Sequence, residues 1–180
     1  MRKIVAGLAI SLDGVIDSPP NWMMSNAEME EVIQTGIAES DAILLGRNTY
    51  VEFARMWPGM GETFPMAAFM NNTPKYVVSS TLTSLDWSGS TLLGADLTDE
   101  LAKLKALPGK NIKIPGSPQL VRSLVLAGLL DELSLMIHPI VLGSGARLFE
   151  AKSERADLEL VASKTFENGV ISVTYRPKQA

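Results

Sequence analysis

The sequence predicts an α/β fold: a mostly parallel sheet covered by helices on both faces, with an antiparallel hairpin closing one edge. Two observations carry this. Strand-like apolar runs alternate with helical patterns as far as Pro139, and strands separated by helices pair in parallel, because the crossover returns the chain to the same end of the sheet. Beyond that the pattern becomes two alternating strands around Asn168-Gly169. Asn-Gly tolerates the positive φ that a tight hairpin turn demands, so it is a strong local hairpin signal.

Each element has its own reason. Residues 3–11, KIVAGLAIS, are nearly all apolar or small, as in a strand buried on both faces. A loop of turn formers follows, and Ser25 with Glu28 offers a capping box to a helix carrying Met29, Val32, Ile33, Gly36 and Ile37 at helical spacing. DAILLG (41–46) is the second strand, followed by a helix with Tyr50, Phe53 and Trp57 on one face. KYVVSS (75–80) and STLLG (90–94) are the third and fourth strands. Thr98 can cap a helix with Leu101 and Leu104 inward, which Pro108-Gly109 ends. NIKIP (111–115) is the fifth strand. Ser117-Pro118 suits an N-cap and first helical residue, and Leu120, Val121, Leu124 and Val125 mark a helix ending at Gly128. ELSLMIHP (132–139) is the sixth strand.

Composition narrows the chemistry. With 180 residues, 46% of them hydrophobic, the chain is expected to form one domain over residues 1–180. A net charge of −4 gives no reason to expect nucleic acid or an anionic membrane as partner. No apolar stretch is long enough to span a bilayer, and the N-terminal run reads as a strand rather than a signal peptide, so a cytoplasmic protein is expected. There is no Cys, which removes disulfides, thiolate sites and Cys nucleophiles. The single His, His138, rules out a multi-His metal centre within one chain, so no metal site is expected, and its place at a strand end reads as structural.

In open α/β sheets, ligands bind beyond the carboxyl ends of strands, at helix N-termini. Three junctions stand out. Gly46-Arg47-Asn48-Thr49 follows a strand: glycine allows close approach, Arg supplies a forked cation, and the helix start and Thr hydroxyl supply donors. The alternative there is a plain helix cap. Ser79 and Ser80 at the exit of the third strand could bond a phosphate or ribose, or form an ordinary polar loop. The third is the stretch Pro115-Gly116-Ser117-Pro118. Gly143-Ser144-Gly145 lacks a third glycine and reads as a flexible loop.

In order along nearly the whole chain, SLDGVI, LLGRNTYVEF, KYVVSST, IPGSPQLVRSLVLAGLLDELSLMIHPIVLGSGARLF and the closing hairpin resemble the dihydrofolate reductase superfamily. The branch they resemble most is the C-terminal reductase domain of the riboflavin-biosynthesis deaminase-reductase and its stand-alone bacterial relatives. The resemblance implies a three-layer α/β/α domain on a mixed sheet of about eight strands. It implies NADPH as hydride donor, a small-molecule substrate and a homodimer paired through sheet edges and the 124–133 region.

By that likeness Ala9 and Ile16 line the nicotinamide side. Gly46, Arg47 and Thr49 face the phosphates, with Arg47 near the 2′-phosphate and Ser79 and Ser80 beside it. Gly116, Ser117, Gln119 and Leu120 hold the pyrophosphate. An Arg at a 2′-phosphate favours NADP over NAD. Folate reductases carry an acid five positions after the Trp of their first loop; counting from Trp22 reaches Ala27, with Glu28 beside it. Glu28 and Asp13, in SLDG, are therefore the two candidate catalytic acids, each with a structural alternative as helix cap or turn residue. Trp22 and Met23, with Met24, are candidates for an adaptable lid over substrate, or for core packing. No His-x-Glu with Cys ligands is present, so a deaminase half is absent from this sequence. The expected activity is reduction of a ribosyl-pyrimidine such as 5-amino-6-(5-phosphoribosylamino)uracil. A catalytically silent nucleotide-binding module and a pterin reductase are the alternatives.

Overall fold

The computed structural model describes residues 1–17, 19–150 and 154–178. Eight strands form one sheet: β1 (Ile4–Ser11), β2 (Ser40–Gly46), β3 (Lys75–Val78), β4 (Ser90–Leu92), β5 (Asn111–Ile114), β6 (Glu132–His138), β7 (Leu158–Thr165) and β8 (Ile171–Pro177). Their order across the sheet is β4-β3-β2-β5-β1-β6-β8-β7. Every pairing is parallel except β6 with β8 and β8 with β7. Five helices cover it: α1 (Ala27–Ala38), α2 (Arg47–Met56), α3 (Pro65–Asn72), α4 (Leu97–Ala106) and α5 (Pro118–Leu126). The architecture expected from the sequence is the one observed.

Side-chain alternation sorts the sheet into two faces. Ile4, Ala6 and Ile10 of β1, Ala42 and Leu44 of β2 and Ile112 and Ile114 of β5 pack in one continuous cluster with Leu101 and Leu104 of α4 and Leu120, Val121, Leu124 and Val125 of α5. Each of those α5 side chains is buried, and full burial of such a group contributes roughly 1.5–3 kcal/mol. The opposite face holds two smaller clusters. One joins Ile43 and Leu45 of β2 and Val77 of β3 to Tyr50, Met70 and Trp87 under α2 and α3. The other joins Met29 of α1 to Phe166 and Val170 at the β7–β8 turn.

Several local expectations are corrected. The α1 N-cap is Asn26, whose side chain accepts from Met29 N–H, so the Ser25–Glu28 capping box does not form. The α4 N-cap is Asp96, which accepts from Asp99 N–H, and not Thr98. In each case neighbouring polar residues compete for one cap, and backbone entry angle decides between them. The sequence reading also passed over α3, a short helix that begins at Pro65.

Candidate active site at the strand ends

The carboxyl ends of β2 and β3 and the N-terminus of α5 frame a cleft of about 740 Å³. Gly46, Arg47, Asn48, Ser79, Ser80, Thr81, Ser117, Gln119 and Leu120 line it, all within the junctions the sequence singles out; Gly94, Ala95, Leu97 and Ser123 line it too and carry no such signal. Two helices open into this cleft without a side-chain cap: α2, preceded by Gly46, and α5, preceded by Ser117. By contrast α1 and α4 are both capped by their own Asn and Asp. Uncapped first turns leave backbone N–H groups and the positive end of the helix dipole facing the cleft. The Arg47 guanidinium is exposed, and among the described residues its one hydrogen bond is to Asn48 Oδ1 at 3.3 Å.

Gly46 and Ser117 interlock. A Cβ at position 46 would collide with Ser117 Oγ. Ser117 itself is buried and left-handed at φ 89°, and its hydroxyl caps nothing. Ser117 stands at the N-cap position with Pro118 at the helix start, as the sequence predicts, but its hydroxyl makes no capping bond: the unusual backbone turns the side chain toward Gly46. Gly116 and Thr49 sit behind the cleft lining. A Cβ at 116 would touch Thr49 Cγ2 at 3.6 Å and Phe53 Cζ at 4.0 Å, so this glycine packs against α2. The Ser79 hydroxyl accepts from Thr81 N–H and Leu82 N–H at 3.2 and 3.0 Å, closing a turn.

At the other end, the loop after β1 is stitched to the loop after β6. Leu12 N–H donates to Ile140 O at 2.8 Å, Ile16 N–H to Ala146 O at 2.9 Å, and Leu148 N–H to Gly14 O at 3.1 Å. Asp13 completes the seam. Its carboxylate accepts from Ser11 Oγ at 2.7 Å, Leu142 N–H at 3.1 Å and Gly143 N–H at 2.9 Å. The Ser11 hydroxyl, then the Leu142 and Gly143 amides, hold its carboxyl well below the usual carboxylate range. Ile16 is buried in the main core, whereas Ala9 on β1 is half-buried. Glu28 lies in an ion pair with Lys164 of β7 at 3.1 Å.

Trp22 and Met23 belong to a loop folded onto β6. Trp22 Nε1 donates to Asp17 O at 2.8 Å, and its ring stands edge-on to His138 with centroids 5.4 Å apart. His138 is fully buried; its Nδ1 accepts from Met24 N–H at 3.3 Å, and its Nε2 has no partner among the described residues. Burial lowers its pKa. The structural reading of this residue stands, with the addition that it holds the loop.

A family model for the RibD C-terminal domain matches residues 2–172. The chain belongs to the RibD C-terminal domain family. This RibD-type chain is 30% identical over 180 residues to the uncharacterized protein YyaP of Bacillus subtilis (strain 168), covering 97% of this chain and 94% of that one. Among solved structures, it superposes with TM-score 0.69 and 15% identity on a Thermotoga maritima diaminohydroxyphosphoribosylaminopyrimidine deaminase/5-amino-6-(5-phosphoribosylamino)uracil reductase. That match covers 98% of this chain and 57% of the larger one. It also superposes with TM-score 0.65 and 15% identity on Enterococcus faecalis dihydrofolate reductase complexed with NADP(H), covering 98% and 97%. A dihydrofolate reductase-like fold is thus common to the RibD-type chain and both structures. Among its described residues no helix is long and apolar enough to cross a membrane.

Proposed function

We infer that residues 1–180 form one NADPH-dependent reductase domain acting on a small heterocyclic substrate, with ribosyl-pyrimidine reduction of the 5-amino-6-(5-phosphoribosylamino)uracil type as the best single reading. The observation that carries it is the convergence of two uncapped helix N-termini, those of α2 and α5, on one cleft with a lightly paired Arg beside them. That arrangement suits a dianionic pyrophosphate and an additional phosphate. The Thermotoga and Enterococcus structures are the reason to name a pyrimidine and NADPH.

The residues fit such a cofactor. Gln119 and Leu120 N–H groups and the α2 first turn would hold the pyrophosphate, Arg47 the 2′-phosphate, and Ala9 would lie at the nicotinamide. Pro118 contributes no N–H to this cradle. The bound nicotinamide would supply hydride. The chain's part is to orient the acceptor carbon and exclude water. Asp13 is engaged as a loop anchor and Glu28 in an ion pair, which favours water as the proton source. Trp22 and Met23 would cover the substrate. We read the protein as cytoplasmic and as a dimer through the β7 edge, where Leu160 and Val161 are exposed; Leu124, Val125, Leu130 and Leu133 of the 124–133 region are spent on the chain's own core.

Tryptophan-fluorescence titration tests the reading. NADPH is expected to bind, and Arg47→Ala to weaken it about tenfold, ~1.4 kcal/mol, with little change for NADH. Absence of binding by either nucleotide overturns the cofactor assignment. Equal binding by Arg47→Ala overturns the orientation. NADPH oxidation with ribosylamino-pyrimidines then decides the substrate.

A further inference from the structure

β5 reads Asn111-Ile112-Lys113-Ile114. Period-two alternation sends Ile112 and Ile114 into the continuous core and Lys113 to the opposite face. There its ammonium lies 3.0 Å from where a Cβ on Gly36 of α1 would stand, and 3.8 Å from one on Gly7 of β1. Both glycines are costly where they are: about 1 kcal/mol relative to Ala inside a helix, and somewhat less inside a strand. Their common effect is to leave room for this side chain between helix and sheet.

Lys75 shows what a satisfied lysine on this face looks like. It donates to Asn71 O, Thr73 O and Ser88 O at 3.2, 2.8 and 3.1 Å and lies 4.5 Å from the Trp87 ring centroid. Lys113 Nζ has no hydrogen bond or ion pair among the described residues, and it is not sealed from solvent. Burial lowers the pKa of both, to about 8 for Lys75; Glu39 acts on Lys113 in the opposite sense.

Lys113 also has polar company. Gly7 is the register partner of Ser134 on β6, and Ser134 that of Thr174 on β8. The two hydroxyls are 3.0 Å apart. Lys113 pairs in register with Val5, and its ammonium leans one pair along β1 to bare Gly7, from which a polar row runs on through Ser134 to Thr174. Ala9 follows Gly7 on the same face, about 6.6 Å further along the strand.

We propose that this row is the oxyanion-binding floor of the substrate site: Lys113 takes a phosphate or carboxylate oxygen of a small anionic substrate, with Ser134 and Thr174 as further hydrogen-bonding groups. Its placement opposite the nicotinamide end rests on the reductase reading above. An unpaired ammonium half-removed from water is a cost to folding that a ligand's charge would offset.

The test uses the full chain labelled with 13C-lysine. Inorganic phosphate and orotate, a pyrimidine carboxylate, are titrated separately at millimolar concentration, with and without NADPH. The Lys113 signal is assigned by its absence in Lys113→Met. One anion is expected to move that signal alone among the lysines, and which anion does so tells phosphate from carboxylate. Its affinity is expected to fall about tenfold in Lys113→Met and to be largely kept in Lys113→Arg, with NADPH affinity unchanged in both. Lys113→Met is expected to melt above the wild type, since it removes an unpaired charge. A Lys113 signal indifferent to both anions, unchanged anion affinity in Lys113→Met, or a Lys113→Met protein that melts several degrees lower each overturns the proposal. Failure of NADPH to bind overturns the reductase reading instead, and the anion titration without nucleotide still reports on Lys113.

Discussion

The face of the sheet under α4 and α5 and the face under α1, α2 and α3 are made by alternate residues of the same strands, yet they are filled differently. The first is one continuous apolar cluster in which every α5 core residue is buried. The second is two clusters with a polar row between them, and it contains both inward lysines. Continuous packing stabilises; a broken face leaves room for something else. The continuous face carries most of the stability, α5 lending only its first turn to the cleft, and the broken face carries the proposed anion row; this division can be broken by experiment.

The largest effect is expected on the dry side. Leu124→Ala removes a fully buried side chain and is expected to cost about 2–5 kcal/mol, read as a lowered urea midpoint, with NADPH affinity of the folded protein unchanged. A parallel loss of affinity would show that the two faces are not separable. Next comes the interlock at the rim. Gly46→Ala is expected to cost about 1–3 kcal/mol by overpacking against Ser117 and to weaken NADPH. Ser117→Gly in the same chain should restore both, and a pair of additive losses would show that the contact is not the cause.

The smallest effect concerns His138. Its pKa is lowered in the folded protein, so the unfolded chain takes up a proton as pH falls through about 6.5 while the folded chain stays neutral. Stability is therefore full above that pH and declines below it, by at most about 1.4 kcal/mol per pH unit. His138→Asn, which keeps an acceptor near Met24 N–H, should flatten that decline in a series of melts. An unchanged slope would place the titration elsewhere. Asp13 follows the same direction at lower pH: its carboxyl is held below the usual range, so its contribution is present above about 4 and lost as the solution becomes more acid.

How much of this was legible depends on whether the determinant was local. The parallel strands and the Asn168-Gly169 turn follow from alternation and turn chemistry, which neighbouring residues decide. Gly46 and Arg47 were found because a glycine at a strand exit is visible without knowing its partner. The N-cap position of Ser117 follows from Pro118 beside it, whereas the direction of its hydroxyl depends on Gly46, seventy-one positions earlier in the chain. Glu28 could not be placed by counting from Trp22, since its partner Lys164 is brought in by the hairpin. Lys113 left a trace, a lone cation between two isoleucines, but the significance of that trace needed Gly7 and Gly36 beside it. The helix α3 was missed although Pro65 at its start is an accepted signal.

The position of β1 between β5 and β6 also governs how the chain is made. Ile4, Ala6 and Ile10 can find no strand partner until residues 111–138 exist, an interval of about 5–20 s or more at ordinary rates of synthesis. During that time an adhesive apolar segment waits unpaired, and non-local pairing of this kind folds slowly. Chains arrested on the ribosome before β5 emerges should be cut by protease within β1, and chains arrested after β6 emerges should resist.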